Sequence, residues 1–322
     1  MHNVLRQIIT GTALALATTA AAAQGYPSKP IRFLVPSPAG GSPDILARIV
    51  GTRLSEQMKQ QVIIDNRSGA SGIIGVEIVK NAAPDGYTLL LATSTIFASL
   101  PALKSNLPYD VERDFAHLSR IAWVANVATV NAGLGVNSTA DLVKLAKDKP
   151  GSLNYGSAGN GSPAHLAGAM LNVLAGIKTM HIPYKGAAPA MTDMIGGQIQ
   201  FLITSPLVAM PHGRSGRIKV LATTGAQRDP LLPELPTMAE TVPGYEIVQW
   251  WGVSLAKGTP AAITQRLHKE LMIALNVPEA RAQMNKNGAT PQPEQPSEFA
   301  AFIKSERARI ANVGKQAGIS LD

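Results

Sequence analysis

Cysteine is absent from the 322 residues, which rules out a disulfide, a thiolate metal ligand, a thiol nucleophile and a cysteine that could carry a lipid anchor. Charged residues make up only 16% of the chain and aromatics only 5%. The 29 basic side chains are scattered and not gathered with aromatics into a stripe, which argues against a nucleic-acid surface. Past residue 23 no apolar run approaches the ~20 residues that a membrane-spanning helix needs. The histidines His117, His165, His181, His212 and His268 fall in no ligand spacing such as H-E-x-x-H, so neither a metal site nor a cofactor is expected.

What is present starts with an address. Arg6, the apolar stretch Ile8 to Ala17 and Ala21-Ala22-Ala23 follow the order of a secretory signal, which places cleavage before Gln24. Residues 1–23 are therefore expected to be a signal peptide. The mature chain is expected in the periplasm as a monomer with no membrane insertion of its own. It is long enough for two lobes of ordinary domain size with real cores, and cores of that size need no disulfides. A formal net charge of +8 gives a mild positive field that favours anionic partners.

Ile31 to Val35 is a short apolar strand, and the loop from Pro36 to Asp44 leads into Ile45, Leu46, Ile49, Val50, Leu54 and Met58 at helical spacing. The same grammar returns. Val62 to Asp65, Tyr87 to Ala92, Leu153 to Tyr155, Met180 to Tyr184, Phe201 to Thr204, Ile218 to Thr223 and Trp250 to Ala256 read as strands. Helices are expected over Gly72 to Asn81, Thr139 to Lys147, Ala164 to Leu174, Ala188 to Ile195, Ala261 to Leu275 and Pro296 to Ala317. Ile121 to Val130 is one long extended run, and Pro230 to Pro236 an ordered surface loop. Alternating strands and helices predict an α/β chain with largely parallel sheets. Two lobes are expected, residues 24–125 with 250–322 and residues 126–249, with the chain crossing near Ala125 and Trp250.

Two loops can carry chemistry. The first holds Ser37, Pro38, Ala39, Gly40, Gly41 and Asp44 and opens onto a helix, whose first N–H groups lack intrahelical partners and so attract anions. A plain turn with Asp44 as the cap is the competing reading. The second holds Ser157, Gly159, Gly161 and Ser162 before Pro163 and His165, again between a strand and a helix. Gly159, Gly161 and Ala164 also fit the dinucleotide fingerprint, but the next strand ends Tyr184-Lys185-Gly186, without the acid that holds a ribose. A hydrolase built on Ser157 lacks the G-x-S-x-G spacing, and no base is singled out for it. His165 reads as a structural partner of the loop or as a ligand contact. One such loop in each half of the chain suggests a single carboxylate gripped by two helix ends.

At these loops the chain resembles the Bug family, the periplasmic receptors of tripartite tricarboxylate transporters. The likeness runs through Tyr26-Pro27-Ser28-Lys29-Pro30-Ile31-Arg32, Pro38 to Asp44, Asn66-Arg67-Ser68-Gly69-Ala70-Ser71-Gly72 and Ala83-Pro84-Asp85-Gly86-Tyr87. It continues through Asn106-Leu107-Pro108-Tyr109-Asp110, Asn154 to Leu166, His181-Ile182-Pro183-Tyr184-Lys185-Gly186 and Leu232-Pro233-Glu234-Leu235-Pro236. The resemblance implies a type II periplasmic-binding fold, two α/β lobes with a ligand cleft and two hinge-crossing strands. It also implies a binding protein, not an enzyme, with a small carboxylate as ligand and membrane transporter subunits as partners. A periplasmic sensor subunit would share the same binding physics. Relatives often carry an aromatic at the place of Ser37, a proline at that of Ala39 and an acid after the strand ending at Thr204. Here the stretch is Thr204-Ser205-Pro206, whose hydroxyls suit a second carboxylate. Ser94, Thr95 and Phe97 are expected to add donors and an aromatic surface, and Trp250 and Trp251 either stack on the ligand or pack under the hinge. An aromatic dicarboxylate such as terephthalate is the ligand these departures favour.

Overall fold

The computed structural model describes residues 25–321, so the expected signal peptide and its cleavage point lie outside the described residues. The first unit runs β1 (Ile31–Val35), α1 (Ser42–Met58), β2 (Val62–Asn66), α2 (Ile73–Lys80) and β3 (Thr88–Thr93), followed by a wide turn at Thr95–Ser99 and α3 (Leu100–Leu103). After α4 (Val111–Asp114) comes β4 (Phe115–Ala125), which leads straight into β5 (Val127–Asn131). The second unit continues with α5 (Thr139–Asp148), β6 (Asn154–Ser157), α6 (Pro163–Ala175), β7 (Met180–Pro183), α7 (Ala187–Ile195), β8 (Phe201–Thr204), α8 (Pro206–Arg214) and β9 (Ile218–Thr223). The chain then returns with β10 (Val248–Ala256), α9 (Ala261–Asn276), α10 (Pro278–Lys286), β11 (Thr290–Pro291) and α11 (Pro296–Ala317).

Two mixed sheets result, ordered β11-β4-β10-β3-β1-β2 and β7-β6-β8-β5-β9. The expectation of largely parallel sheets is corrected. Parallel pairing is confined to β2-β1-β3 and β7-β6-β8, and β10, β4, β11, β5 and β9 join antiparallel. The reason is connectivity, since β4 and β5 are consecutive and β10 re-enters the first sheet, so these strands do not arrive by helical crossovers.

The run read as one strand from Ile121 to Val130 is two, broken at Asn126, and the first of them starts at Phe115. Asn126 is almost wholly buried, and its carbonyl accepts the Thr224 N–H at 2.8 Å. Thr224 in turn exchanges backbone contact with Ile247, whose N–H donates to the Thr224 carbonyl at 3.0 Å. Three passages of chain between the two sheets are thus stitched side by side.

Helix α1 turns Leu46, Val50, Leu54 and Met58 inward, against β2 and α9. Each such buried side chain contributes about 1.5–3 kcal/mol by removing apolar surface from water. Helix α11 lies against β4, α3 and α6, elements of both sheets' units, and buries Phe299 edge-on to Trp250 at 5.7 Å. Among the described residues no helix is long and apolar enough to cross a membrane.

Candidate functional site

The first loop is held by charge. Helix α1 has Gly41 at its N-cap with no side-chain cap, and Pro43 sits in its first turn, where a missing N–H is harmless. Asp44 is engaged within its own loop and helix. Its carboxylate accepts the Gly40 N–H at 2.9 Å and the Arg48 Nε–H at 3.0 Å, and only 3% of it is exposed. Burial works against its charged form, but the Arg48 and Gly40 hydrogen bonds outweigh burial and hold the carboxyl below its ordinary value. Asn66 secures the other side, donating to the Ser37 carbonyl at 3.1 Å. Pro38, Ala39 and Gly40 stay exposed at the tip, and Gly40 has φ +82°, a conformation open to glycine and strained for other residues.

The second loop is held by neutral groups. The Ser162 hydroxyl caps α6 by accepting the His165 N–H at 3.3 Å, so it serves the helix. Ser157 is fully buried, and its hydroxyl is occupied by the Gly159 N–H at 3.1 Å, the Gly159 carbonyl at 3.0 Å and His181 Nε2 at 2.6 Å. Ser157, expected to touch the ligand, has its hydroxyl engaged within its own loop and with His181. His165 Nδ1 accepts the Gly161 N–H at 3.2 Å, and its ring stacks on His181 with centroids 4.0 Å apart. Burial lowers the pKa of His165, and burial together with the neighbouring His165 brings His181 to about 4, so both rings are neutral at neutral pH.

Ser157 and His181 resemble a nucleophile and its base. The hydroxyl is sealed from the cleft, however, and a base with a pKa near 4 is poorly matched to work at neutral pH.

Each loop touches the other sheet's unit. Ser71, beside the first loop, donates to the Asn160 carbonyl of the second at 3.2 Å, and Ser42 Oγ lies 2.6 Å from Ser205 Oγ. A Cβ at Gly186 would lie 3.7 Å from Pro38, which puts exposed Lys185 at the lip of the cleft. Behind the serine pair a cavity of about 10 Å³, room for one water at most, is lined in part by Val124 and Trp251.

The remaining expected residues divide. Ser37 and Ser94 carry buried hydroxyls with no protein partner among the described residues, and Thr95 is half-buried beside them. Thr204 is buried at the end of β8, and Ser205 is engaged with Ser42. Phe97, expected to add an aromatic surface, has its ring fully buried against Phe115 at 5.1 Å and His117 at 5.5 Å. Trp250 packs on Phe299 and Phe302, and Trp251 is 1% exposed among residues of β1 and β3 such as Phe33 and Leu91. Sequence reasoning missed Ser42, Asn66, Ser71 and His181. All four lay in quoted family-like blocks, but nothing local assigned them a task. Among the described residues no group of three or more histidine and acidic side chains is placed to hold a metal.

Two α/β lobes, a cleft walled by uncharged loops and hinge strands linking the sheets define a two-lobed solute-binding protein. A profile of the tripartite tricarboxylate transporter family receptor, TctC, matches residues 46–319, and the chain belongs to that family, whose Bug members are periplasmic receptors. It is 33% identical to Protein BugT of Bordetella pertussis over 317 residues, covering 97% of each chain. Its structure superposes on the R. palustris protein Rpa4515 with adipate at a TM-score of 0.89, with 35% identity over 92% of this chain and 99% of that one. MatC from Rhodopseudomonas palustris with bound malate matches at a TM-score of 0.84 and 26% identity, covering 89% and 99% of the two chains. The family and these neighbours are solute receptors and not enzymes, and they support small carboxylates as the ligand class.

Proposed function

We propose that this chain captures a small dicarboxylate in the periplasm and hands it to the membrane subunits of a tripartite tricarboxylate-type transporter. In this reading residues 1–23 direct export and are removed. The lobes, residues 24–125 with 250–322 and residues 126–249, close about the strands at Asn126 and Ile247. One ligand carboxylate sits between the exposed tip Pro38–Gly41 and the loop from Ala158 to Gly161, where helix ends supply N–H donors without a buried cation to desolvate. The observation that supports the reading is that each loop, or its near neighbour, touches the other sheet's unit: Ser42 pairs with Ser205, and Asn160 accepts from Ser71. Ser37, Ser94 and Thr95 offer hydroxyls to the rest of the ligand, and the uncharged Thr204-Ser205 end suits a second carboxylate better than an amine. With Phe97 and Trp250 withdrawn into the core, a linear dicarboxylate is favoured, and the relative with adipate supports that choice. Terephthalate forms the aromatic arm of the test.

A melting-temperature panel decides among these. Adipate, malate, terephthalate and a monocarboxylate control such as hexanoate are each added at one common concentration, set a hundredfold above the dissociation constant of the tightest binder. The tightest binder then adds about 2.7 kcal/mol to native-state stability, and weaker ones add less. Linear dicarboxylates are expected to raise the midpoint by several degrees and hexanoate by much less. Terephthalate outdoing adipate would restore the aromatic reading, and no shift with any carboxylate would overturn the function. Uptake of the best ligand through the reconstituted transporter, lost without this protein, checks the delivery step.

A further inference from the structure

Four rings form a column under the second loop: His165 on His181 at 4.0 Å, His181 on Tyr155 at 5.0 Å, and Tyr155 on Phe201 at 5.4 Å. His181 is therefore clamped between two rings, one from α6 and one from β6, while its own strand β7 pairs with β6 in register Tyr155 to His181. Clamping fixes where Nε2 points, and it points at the Ser157 hydroxyl 2.6 Å away. That hydroxyl is also the acceptor for the Gly159 N–H, at a glycine with φ +126°. His165 does the same one step later, accepting the Gly161 N–H on Nδ1, which must therefore be unprotonated.

We infer that His181 is a positioning residue for the second carboxylate-binding loop, acting through the Ser157 hydroxyl, with the stacked His165 holding the Gly161 amide. The inference rests on taking this loop as half of the carboxylate site. Together the two imidazoles tie back the amides of Gly159 and Gly161 and hold the segment between them. The Asn160 carbonyl is thereby presented to Ser71 of the opposite wall. Neither histidine needs to touch the ligand to determine how well the loop receives it. Protein-imposed order of this kind lowers the cost of binding, because the loop is arranged before the ligand arrives.

A packing role and a hydrogen-bonding role make opposite demands. Phenylalanine at 181 keeps the ring in the column but has no nitrogen for Ser157, whereas glutamine loses the ring and keeps a polar group near the place of Nε2. Amide hydrogen exchange by NMR is measured on the ligand-free protein for wild type, His181→Gln, His181→Phe and Ser157→Ala. The Gly159 amide should exchange at least tenfold faster in His181→Phe and Ser157→Ala, and within about threefold of wild type in His181→Gln. For the dicarboxylate giving the largest wild-type melting shift, affinity should fall tenfold or more in the first two variants, with no further loss in the double variant. Wild-type exchange in His181→Phe, or equal damage from glutamine and phenylalanine, would overturn the assignment. If His181→Phe does not fold, His181→Leu takes its place, since it differs from His181→Gln in lacking the polar group and not in lacking the ring. Because exchange is read without ligand, a failure of the carboxylate reading leaves this outcome intact and separately visible.

Discussion

The two glycine-bearing loops occupy equivalent places, each between a strand end and a helix start, yet they are stiffened by opposite means. The first is braced by a full charge, Asp44, cancelled at once by Arg48 at 3.0 Å. The second is braced by neutral rings and hydroxyls, with no carboxylate in the arrangement. Both leave the region around their amides without net charge, as the proposed carboxylate site requires. An anion site built on helix ends is thus compatible with either kind of support, provided the support is electrically closed.

Substituting the glycines breaks the comparison most sharply. Nothing lies within 4 Å of a Cβ at Gly40, whereas one at Gly161 would meet Leu321 at 2.7 Å. Gly40→Val should cost at least a hundredfold in dicarboxylate affinity, about 2.8 kcal/mol, with a melting point lowered by only a few degrees. Gly161→Val should lose affinity and melting temperature together. Unchanged binding in Gly40→Val, measured by calorimetry, would remove the first loop from the site.

Acid separates the loops next. A histidine whose pKa is lowered in the fold stabilises the native state above its unfolded pKa of 6.5 and loses that contribution as pH falls toward its folded value. For His181 the window runs from 6.5 down to about 4, and the loss is of the order of 1–3 kcal/mol. Asp44, a lowered carboxyl, keeps its contribution until the pH drops through a value below 3.8. Melting points should therefore fall between pH 6.5 and 4, and fall less in His181→Gln. His117, brought to about 4 mainly by burial, adds to the same window in both proteins, so the difference between them isolates the second loop. Parallel slopes would contradict the comparison.

Smaller effects come from the contacts between the walls. The Ser42 and Ser205 hydroxyls meet at 2.6 Å, and such a bond is worth about 1 kcal/mol. Ser42→Ala should weaken the dissociation constant about fivefold, with Ser205→Ala adding little once the first is gone. Full additivity in a double-mutant cycle would show that the pair is not coupled. The least effect belongs to Lys185 at the lip. Lys185→Ala should slow association about threefold at low salt and leave it unchanged at high salt, as steering by an exposed charge requires.

Much of this was legible in the chain because local chemistry decided it. Strand-to-helix punctuation at Pro36–Gly41 and Gly156–Pro163 marked both loops, and Ser138 capping α5 follows directly from its position. A crossing near Ala125 was expected, but the break of the strand at Asn126 was not, because one buried asparagine between apolar residues carries little turn signal and owes its place to Thr224 and Ile247. The start of β4 was hidden by His117, Ser119 and Arg120, polar residues whose partners Ser254 and Glu294 are distant in sequence. Helix α8 was missed because Pro206 and Pro211 argue against a helix, although the first fits its opening turn. In the site, hydroxyl and glycine content identified the loops, but whether a hydroxyl serves the ligand or the fold depends on tertiary neighbours. Ser157 went to His181, Ser162 to its own helix and Phe97 to the core for that reason.

A structure of the protein with the dicarboxylate that raises its melting point most would test the shared grip directly. One carboxylate should lie within hydrogen-bond reach, directly or through a single water, of amides in both Pro38–Gly41 and Ala158–Gly161. A ligand whose carboxylates contact only one of those segments, or neither, would contradict it.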